Sequence, residues 1–311
     1  MTPFRLPDDT RIDSARLKVS ARAQALAFYE GTLGFHEGKR EGPVSFLSAG
    51  GDLPYPVRLE EHPGAVRKPG GTTGLYHVAL RLPDRKGLAR AVARLLTLRY
   101  PLQGFADHRV SEAVYLADPD GNGLELYADR PRETWQAKGG QVRMTTDPLD
   151  VVNLLSEAEN GKSPGGIAPG TEVGHVHLAV SDLGRTERFY SEVLGLAVTQ
   201  RNLPGALFFS AGGYHHHVGA NVWAGTDAPA PPPETAGLAS FTILVPEART
   251  VHVLRERLLS AGMPAEPVPD DPDALATRDP DGIGLEILPY QRAAAMPRRA
   301  PRISAGSMRT E

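Results

Sequence analysis

The chain repeats itself at a fixed offset, and few architectures tolerate that. Phe28-Tyr29 followed by Leu33-Gly34-Phe35 recurs 161 residues later as Phe189-Tyr190 followed by Leu194-Gly195-Leu196. Phe46-Leu47-Ser48-Ala49-Gly50-Gly51 recurs as Phe208-Phe209-Ser210-Ala211-Gly212-Gly213, and Asp118-Pro119-Asp120-Gly121 as Asp279-Pro280-Asp281-Gly282. Glu125 and Glu286 stand at matching places after the two glycines. Internal similarity of this kind means that one structural unit is used twice. With 311 residues and 41% apolar content, the chain can fill the cores of two ordinary domains.

Each half divides again. Tyr76–Leu82 reads as a strand, Lys86–Leu98 as an amphipathic helix with apolar Leu88, Val92, Leu95 and Leu96, and Ala113–Leu116 and Leu124–Tyr127 as further strands. The same order begins at Arg16–Val19 before a helix over Arg22–Thr32, at His175–Val180 before Leu183–Leu194, and at Phe241–Val245 before Ala248–Ala261. The pattern predicts an α+β fold of four βαβββ modules, over residues 12–62, 73–130, 172–225 and 236–290. The two Asp-Pro-Asp-Gly runs suit tight turns, where Pro presets φ and Gly supplies positive φ. Residues 131–170 read as a linker, in which Asp147-Pro148 can cap a short helix through Leu155 before a Gly/Pro-rich stretch over Gly161–Gly170. Residues 291–311 lack periodicity and read as a disordered tail.

Charge and cysteine content narrow the chemistry. A net charge of −3 and a pI near 6.4, with no dense Lys/Arg stripe, give no support for nucleic-acid binding. The absence of Cys excludes disulfides, thiolate metal sites and cysteine nucleophiles, which leaves His, Asp and Glu as metal ligands. The N-terminal residues have no apolar core region and no window approaches the ~18 apolar residues of a membrane span, so the expected location is cytoplasmic, without membrane contact.

Four paired βαβββ modules with this text resemble the vicinal oxygen chelate superfamily, whose members close cup-shaped sheets around one metal. Within it, Asp107-His108-Arg109-Val110-Ser111-Glu112-Ala113-Val114-Tyr115-Leu116-Ala117-Asp118-Pro119-Asp120-Gly121-Asn122-Gly123-Leu124-Glu125 is similar to the signature of type I extradiol catechol dioxygenases, with Ala106 as a departure. The resemblance implies ligands on the first strand of a module and near the end of its last strand. Those first-strand positions hold Ser14, His77, His175 and Ser240, so modules two and three keep the histidine and modules one and four do not. The carboxylate position holds Glu125 and Glu286, the latter read as a vestigial ligand or a solvated strand-end group, while module three carries Tyr214-His215-His216-His217 instead.

His77, His175 and Glu125 are thus the implied metal ligands, a set that suits non-haem iron(II) and also accepts manganese(II). His177 shares the strand face of His175 and is an alternative to it or a neighbour behind it. The resemblance further implies that His217, or its neighbour His216, is the acid/base, and that His108 and Tyr115 bind the substrate oxygens. A full ligand set requires modules two and three to pair, in one chain or across a swapped dimer. The implied partners are a small aromatic diol and O₂, and the implied assembly is a homodimer. A glyoxalase-like isomerase and a non-catalytic ligand-binding member are the rival readings. The pocket wall is expected from loops such as Tyr55–Gly71 and Gly225–Ala236.

Overall fold

The computed structural model describes residues 4–158, 166–268 and 271–290. The expected tail and residues 161–165 of the Gly161–Gly170 stretch lie outside the described residues. Module one contains β1 (Arg11–Val19), α1 (Arg22–Leu26), β2 (His36–Glu41), β3 (Val44–Ser48) and β4 (Val57–Glu61). Module two contains β5 (Gly74–Arg81), α2 (Arg85–Thr97), β6 (Leu102–Asp107), β7 (Ser111–Ala117) and β8 (Gly123–Asp129). A hairpin of β9 (Ala137–Lys138) and β10 (Gln141–Val142), then α3 (Val151–Ser156), joins the halves. Module three has β11 (Glu172–Ala179), α4 (Leu183–Glu187), β12 (Ala197–Gln200), β13 (Ala206–Ser210) and β14 (Val218–Asn221). Module four has β15 (Gly237–Val245), α5 (Ala248–Ser260), β16 (Glu266–Val268), β17 (Asp271–Arg278) and β18 (Gly284–Pro289).

These strands form two eight-stranded mixed sheets, in the orders β16-β17-β18-β15-β1-β4-β3-β2 and β12-β13-β14-β11-β5-β8-β7-β6. Modules one and four therefore share one sheet and modules two and three the other, each joined by one antiparallel pair of first strands, β1 with β15 and β5 with β11. Alternation assigns the two faces. Val78 and Leu80 of β5, Leu124 and Leu126 of β8, and Val176 and Leu178 of β11 enter the apolar core, which also takes Leu17, Ile243 and Leu285 from the other sheet. The intervening His77, Glu125 and His175 are left for the concave face.

Two expected helices differ in form. The segments predicted over Arg22–Thr32 and Leu183–Leu194 begin as α-helix and continue as π-helix over Ala27–Leu33 and Arg188–Val193. Each π-turn sits where two adjacent aromatic residues, Phe28-Tyr29 or Phe189-Tyr190, are both buried. From there Tyr29 donates to Asp118 Oδ2 over 3.3 Å and Tyr190 to Asp279 Oδ2 over 3.0 Å. Asp118 and Asp279 open the two Asp-Pro-Asp-Gly turns, so these turns are more than strand connections. They bind module one to module two and module three to module four, across the two sheets.

The segment between the halves also differs from a plain linker. The cap of α3 is Asp150, whose carboxylate accepts from Asn153 N over 2.9 Å, rather than Asp147. Asp147 is occupied elsewhere: its backbone bridges Asp107 and its carboxylate accepts from Thr145 Oγ1 over 2.8 Å.

Candidate metal centre

The pairing of β5 with β11 sets His77 opposite His177 and Ala79 opposite His175. In the parallel pairing of β5 with β8, Ala79 is also opposite Glu125. A small residue between two long ones lets both reach over it. Glu125 Oε2 accordingly lies 3.2 Å from His175 Nε2 and 2.9 Å from His77 Nε2. All three side chains are buried, and their ligand atoms lie within 4.8 Å of one another.

The three residues fit a metal. Ligand atoms ~2.1 Å from one ion and at right angles lie about 3 Å apart, which is the spacing of Glu125 Oε2 from each imidazole nitrogen. His77 Nε2 is buried without an aligned hydrogen-bond partner. Burial pushes the His175 imidazole down to about 4, against the opposing influence of Glu125, so it is neutral at physiological pH. Burial also pushes Glu125 up, but His175 and His77 outweigh it and hold the carboxylate well below its ordinary range. Two imidazoles and one carboxylate are a donor set that suits a divalent non-haem metal.

The His215–His217 run divides differently from the expected His216-His217 pair. These residues precede β14 and are not extended, so the alternation of a strand does not apply to them. His215 and His216 both line the cavity. His217 does not: its Nδ1 lies 3.0 Å from Ser210 Oγ and accepts from Ala211 N over 3.3 Å. Of the two expected acid/base candidates, His217 and His216, it is His216 that lines the cavity.

Hydrogen bonding also determines which nitrogens carry protons. Asp129 is ionised, because His215, Arg81 and Tyr214 outweigh the burial that raises its pKa. Asp129 Oδ1, 3.0 Å from His215 Nε2, can then only accept, so the His215 tautomer that donates from Nε2 keeps a lone pair on Nδ1. That lone pair, 2.8 Å from His216 Nδ1, takes the His216 proton, and His216 Nε2 is left as a free acceptor. The His216 ring centroid is 4.0 Å from that of His175. His215 has both nitrogens engaged, which disfavours the other possible metal trio of His175, His215 and His216.

His108 and Tyr115 behave likewise. His108 Nδ1 lies 2.6 Å from the carbonyl of Thr145, which only accepts, so Nε2 is the acceptor and Tyr115 donates its hydroxyl to it over 2.6 Å. Burial, with Glu125 adding to it, pushes the Tyr115 phenol well above its ordinary range. The Tyr115 oxygen keeps lone pairs for a donor in the cavity.

These groups line a cavity of about 350 Å³ with Tyr76, His177, Leu203, Phe208 and Trp223. None of its lining residues comes from Tyr55–Gly71 or Gly225–Ala236, contrary to expectation. The wall comes instead from β6 and β7, from the Met144–Thr146 segment between the halves, and from residues around β12 and β13. Asp129, Thr145 and Trp223 carried no motif. His215 lay within a noticed run, but its partner Asp129 is distant in sequence.

The second sheet shows what replaced a ligand set. Ser14 and Thr242 hydrogen-bond each other over 3.2 Å at the pair equivalent to His175 and Ala79. Glu286 is neither solvated nor an open ligand. It is buried against Arg16 at 3.7 Å and Arg58 at 3.8 Å, and accepts from Ser240 Oγ over 3.2 Å. Two guanidinium groups supply the positive charge there.

Comparison with known proteins agrees with this architecture. The model of the family described as the glyoxalase/bleomycin resistance protein/dioxygenase superfamily matches residues 11–126 and 172–287. A catechol-2,3-dioxygenase of Bacillus subtilis (strain 168) is 43% identical over 263 residues, which cover 83% of this chain and 91% of that protein. The chain is a homologue of that enzyme. Solved structures share the fold at low identity. Maize glyoxalase I superposes with a TM-score of 0.57 at 16% identity, covering 90% of this chain and 92% of that one. CppA of Streptococcus pneumoniae gives 0.56 at 12%, covering 92% and 100%. Among the described residues no helix is long and apolar enough to cross a membrane.

Proposed function

Because the chain belongs to the glyoxalase/bleomycin resistance protein/dioxygenase superfamily, we propose that it is an extradiol ring-cleaving dioxygenase that acts on catechol-type aromatics with non-haem iron(II) and O₂. The observation that carries this reading is the convergence of His77, His175 and Glu125 beside two separate proton-handling groups, His216 and the Tyr115–His108 pair. An isomerase of this fold would want a second carboxylate or Gln in the partner module; Gln200 of module three lines the cavity, but its amide is engaged with Val142 O at 3.1 Å and Asn202 N at 2.6 Å, and it is His215 and His216 that pack against His175.

His77, His175 and Glu125 would hold the metal, which supplies adjacent open positions for a vicinal diol and O₂ and lowers the pKa of a bound hydroxyl. Manganese(II) suits the same donors. The protein's own part is positioning and proton transfer. The Tyr115 oxygen accepts from one substrate hydroxyl, and its own proton is directed to His108 Nε2. His216 Nε2, with its proton kept on Nδ1 by His215, accepts a proton on the other side of the cavity and returns it as the ring opens. A homodimer in the cytoplasm completes the proposal.

Anaerobic reconstitution with iron(II), followed by catechol and air, tests it. Wild type should produce the yellow of a ring-opened semialdehyde, and His77→Ala should not. Stoichiometric metal binding without consumption of any catechol or hydroquinone would contradict the proposal.

A further inference from the structure

The cavity has an unusual charge balance for a site that binds small oxygenated aromatics. Among the described residues that line it there is no lysine and no arginine, and Glu125 is the one carboxylate. Tyr76, Phe208 and Trp223 form an aromatic wall around His177, with ring centroids 5.1, 5.6 and 5.7 Å from the His177 ring. Leu203 and Met144 add apolar surface. The indole of Trp223 is held by a hydrogen bond to the Pro204 carbonyl over 3.1 Å, which fixes the wall at the mouth.

Arg109, next to the lining residue His108, and Arg130 are committed elsewhere. Arg109 faces Asp147 and Thr145 Oγ1, each at 3.2 Å. Arg130 is held by Asp107 at 2.8 Å and by Glu112 at 2.9 Å. Within the aromatic wall, His177 Nε2 is buried and has no hydrogen-bond partner among the described residues. At about 350 Å³ the cavity is at the small end of the ~300–1,000 Å³ typical of pockets that enclose drug-sized ligands. It has room for one aromatic ring with a modest substituent.

We infer that the cavity selects catechols whose ring carries an uncharged, apolar substituent, such as an alkyl or halogen group, and rejects catechols that carry a ring or side-chain carboxylate. The inference rests on the ring-cleavage reading of the same site. A carboxylate placed deeper in the cavity, against the buried Phe208, would lose its water with no lysine or arginine in the lining to replace it, and would share the cavity with Glu125. An alkyl group in the same place exchanges water for aromatic carbon.

The iron-loaded full-length protein should be given catechol, 3-methylcatechol, 4-methylcatechol, 4-chlorocatechol, 3,4-dihydroxybenzoate and 3,4-dihydroxyphenylacetate. Binding of each should also be followed anaerobically by quenching of tryptophan fluorescence, with Trp223→Ala as the signal control. The expected kcat/KM for the methyl and chloro compounds exceeds that for the two carboxylates by about 100-fold or more. Trp223→Ala should cost the substituted compounds about tenfold and catechol itself much less. Leu203→Arg should raise cleavage of the carboxylates about tenfold. Equal or better cleavage of the carboxylated catechols by wild type overturns the inference. If no catechol is cleaved, the ring-cleavage reading falls, and binding alone decides the selectivity: tighter quenching by the neutral compounds upholds it, while equal, reversed or absent quenching overturns it.

Discussion

His216 and His217 are neighbours with opposite surroundings, and substitution should separate them. His216→Asn removes the free imidazole nitrogen from the cavity and should lower kcat by ~10²–10⁴ with the metal retained. His217→Asn, against Ser210 and outside the cavity, should change kcat by less than about threefold. Steady-state kinetics with metal analysis of each variant checks both. The buried histidines also set an acid limit on the metal-free protein. Burial pushes His175 down to about 4 and His217 to about 3, and His177 and His216 fall well below their ordinary range. Unfolded histidines titrate near ~6.5, so between there and about 4 the folded chain binds fewer protons, and this stabilisation is lost as pH falls. Asp118, raised to about 6, and Asp279, to about 7, act in the opposite sense, but they are two groups against four. Thermal midpoints of the metal-free protein should therefore fall from pH 6.5 to 4.5, and less steeply in His217→Asn. His77, His175 and Glu125 were readable because each stands at a repeated strand position. Which members of the histidine run face the cavity was not readable, because His215–His217 precede β14 and strand alternation does not govern them.

Strands and their pairing were more legible than helices. Period-two alternation and turn residues mark β5, β7 and β8 in the sequence, and the distribution of histidines between modules two and three required those modules to pair. The switch from α- to π-helix at Ala27 and Arg188 has no comparable signal, since it depends on where two adjacent aromatics find their burial. The structured segment between the halves was also hidden, because two-residue strands are too short to show a period. Within module two, Gly123 is required by close approach rather than by backbone conformation. A Cβ there would lie 2.1 Å from the Tyr76 carbonyl oxygen and 3.3 Å from His77 Cβ. Gly123→Ala should force β5 and β8 apart, destabilise the fold by at least about 2 kcal/mol in urea unfolding, and weaken metal binding by separating His77 from Glu125.

At the scale of the molecule, two copies of one latch join the sheets. Tyr29→Phe and Tyr190→Phe each remove one buried hydrogen bond to a carboxylate, and each should cost about 1.5–3 kcal/mol in chemical denaturation. The similar environments predict similar losses. The sheets differ in chemistry, since charge is balanced by arginine in one and, in the account proposed, by a metal in the other. Glu286→Ala should destabilise the protein by about 1–3 kcal/mol, because Arg16 and Arg58 lose the buried carboxylate they share while Arg16 keeps Glu60 and Arg58 keeps Asp13, each at 3.4 Å. It should leave metal binding intact. The most direct test of a single metal cup is the number of iron(II) ions bound per chain, measured by metal analysis after anaerobic reconstitution and desalting. One ion per chain in wild type, near zero in His77→Ala and Glu125→Ala, and one in Glu286→Gln is the expected result. Two ions per wild-type chain, or one that survives loss of His77 and Glu125, would contradict it.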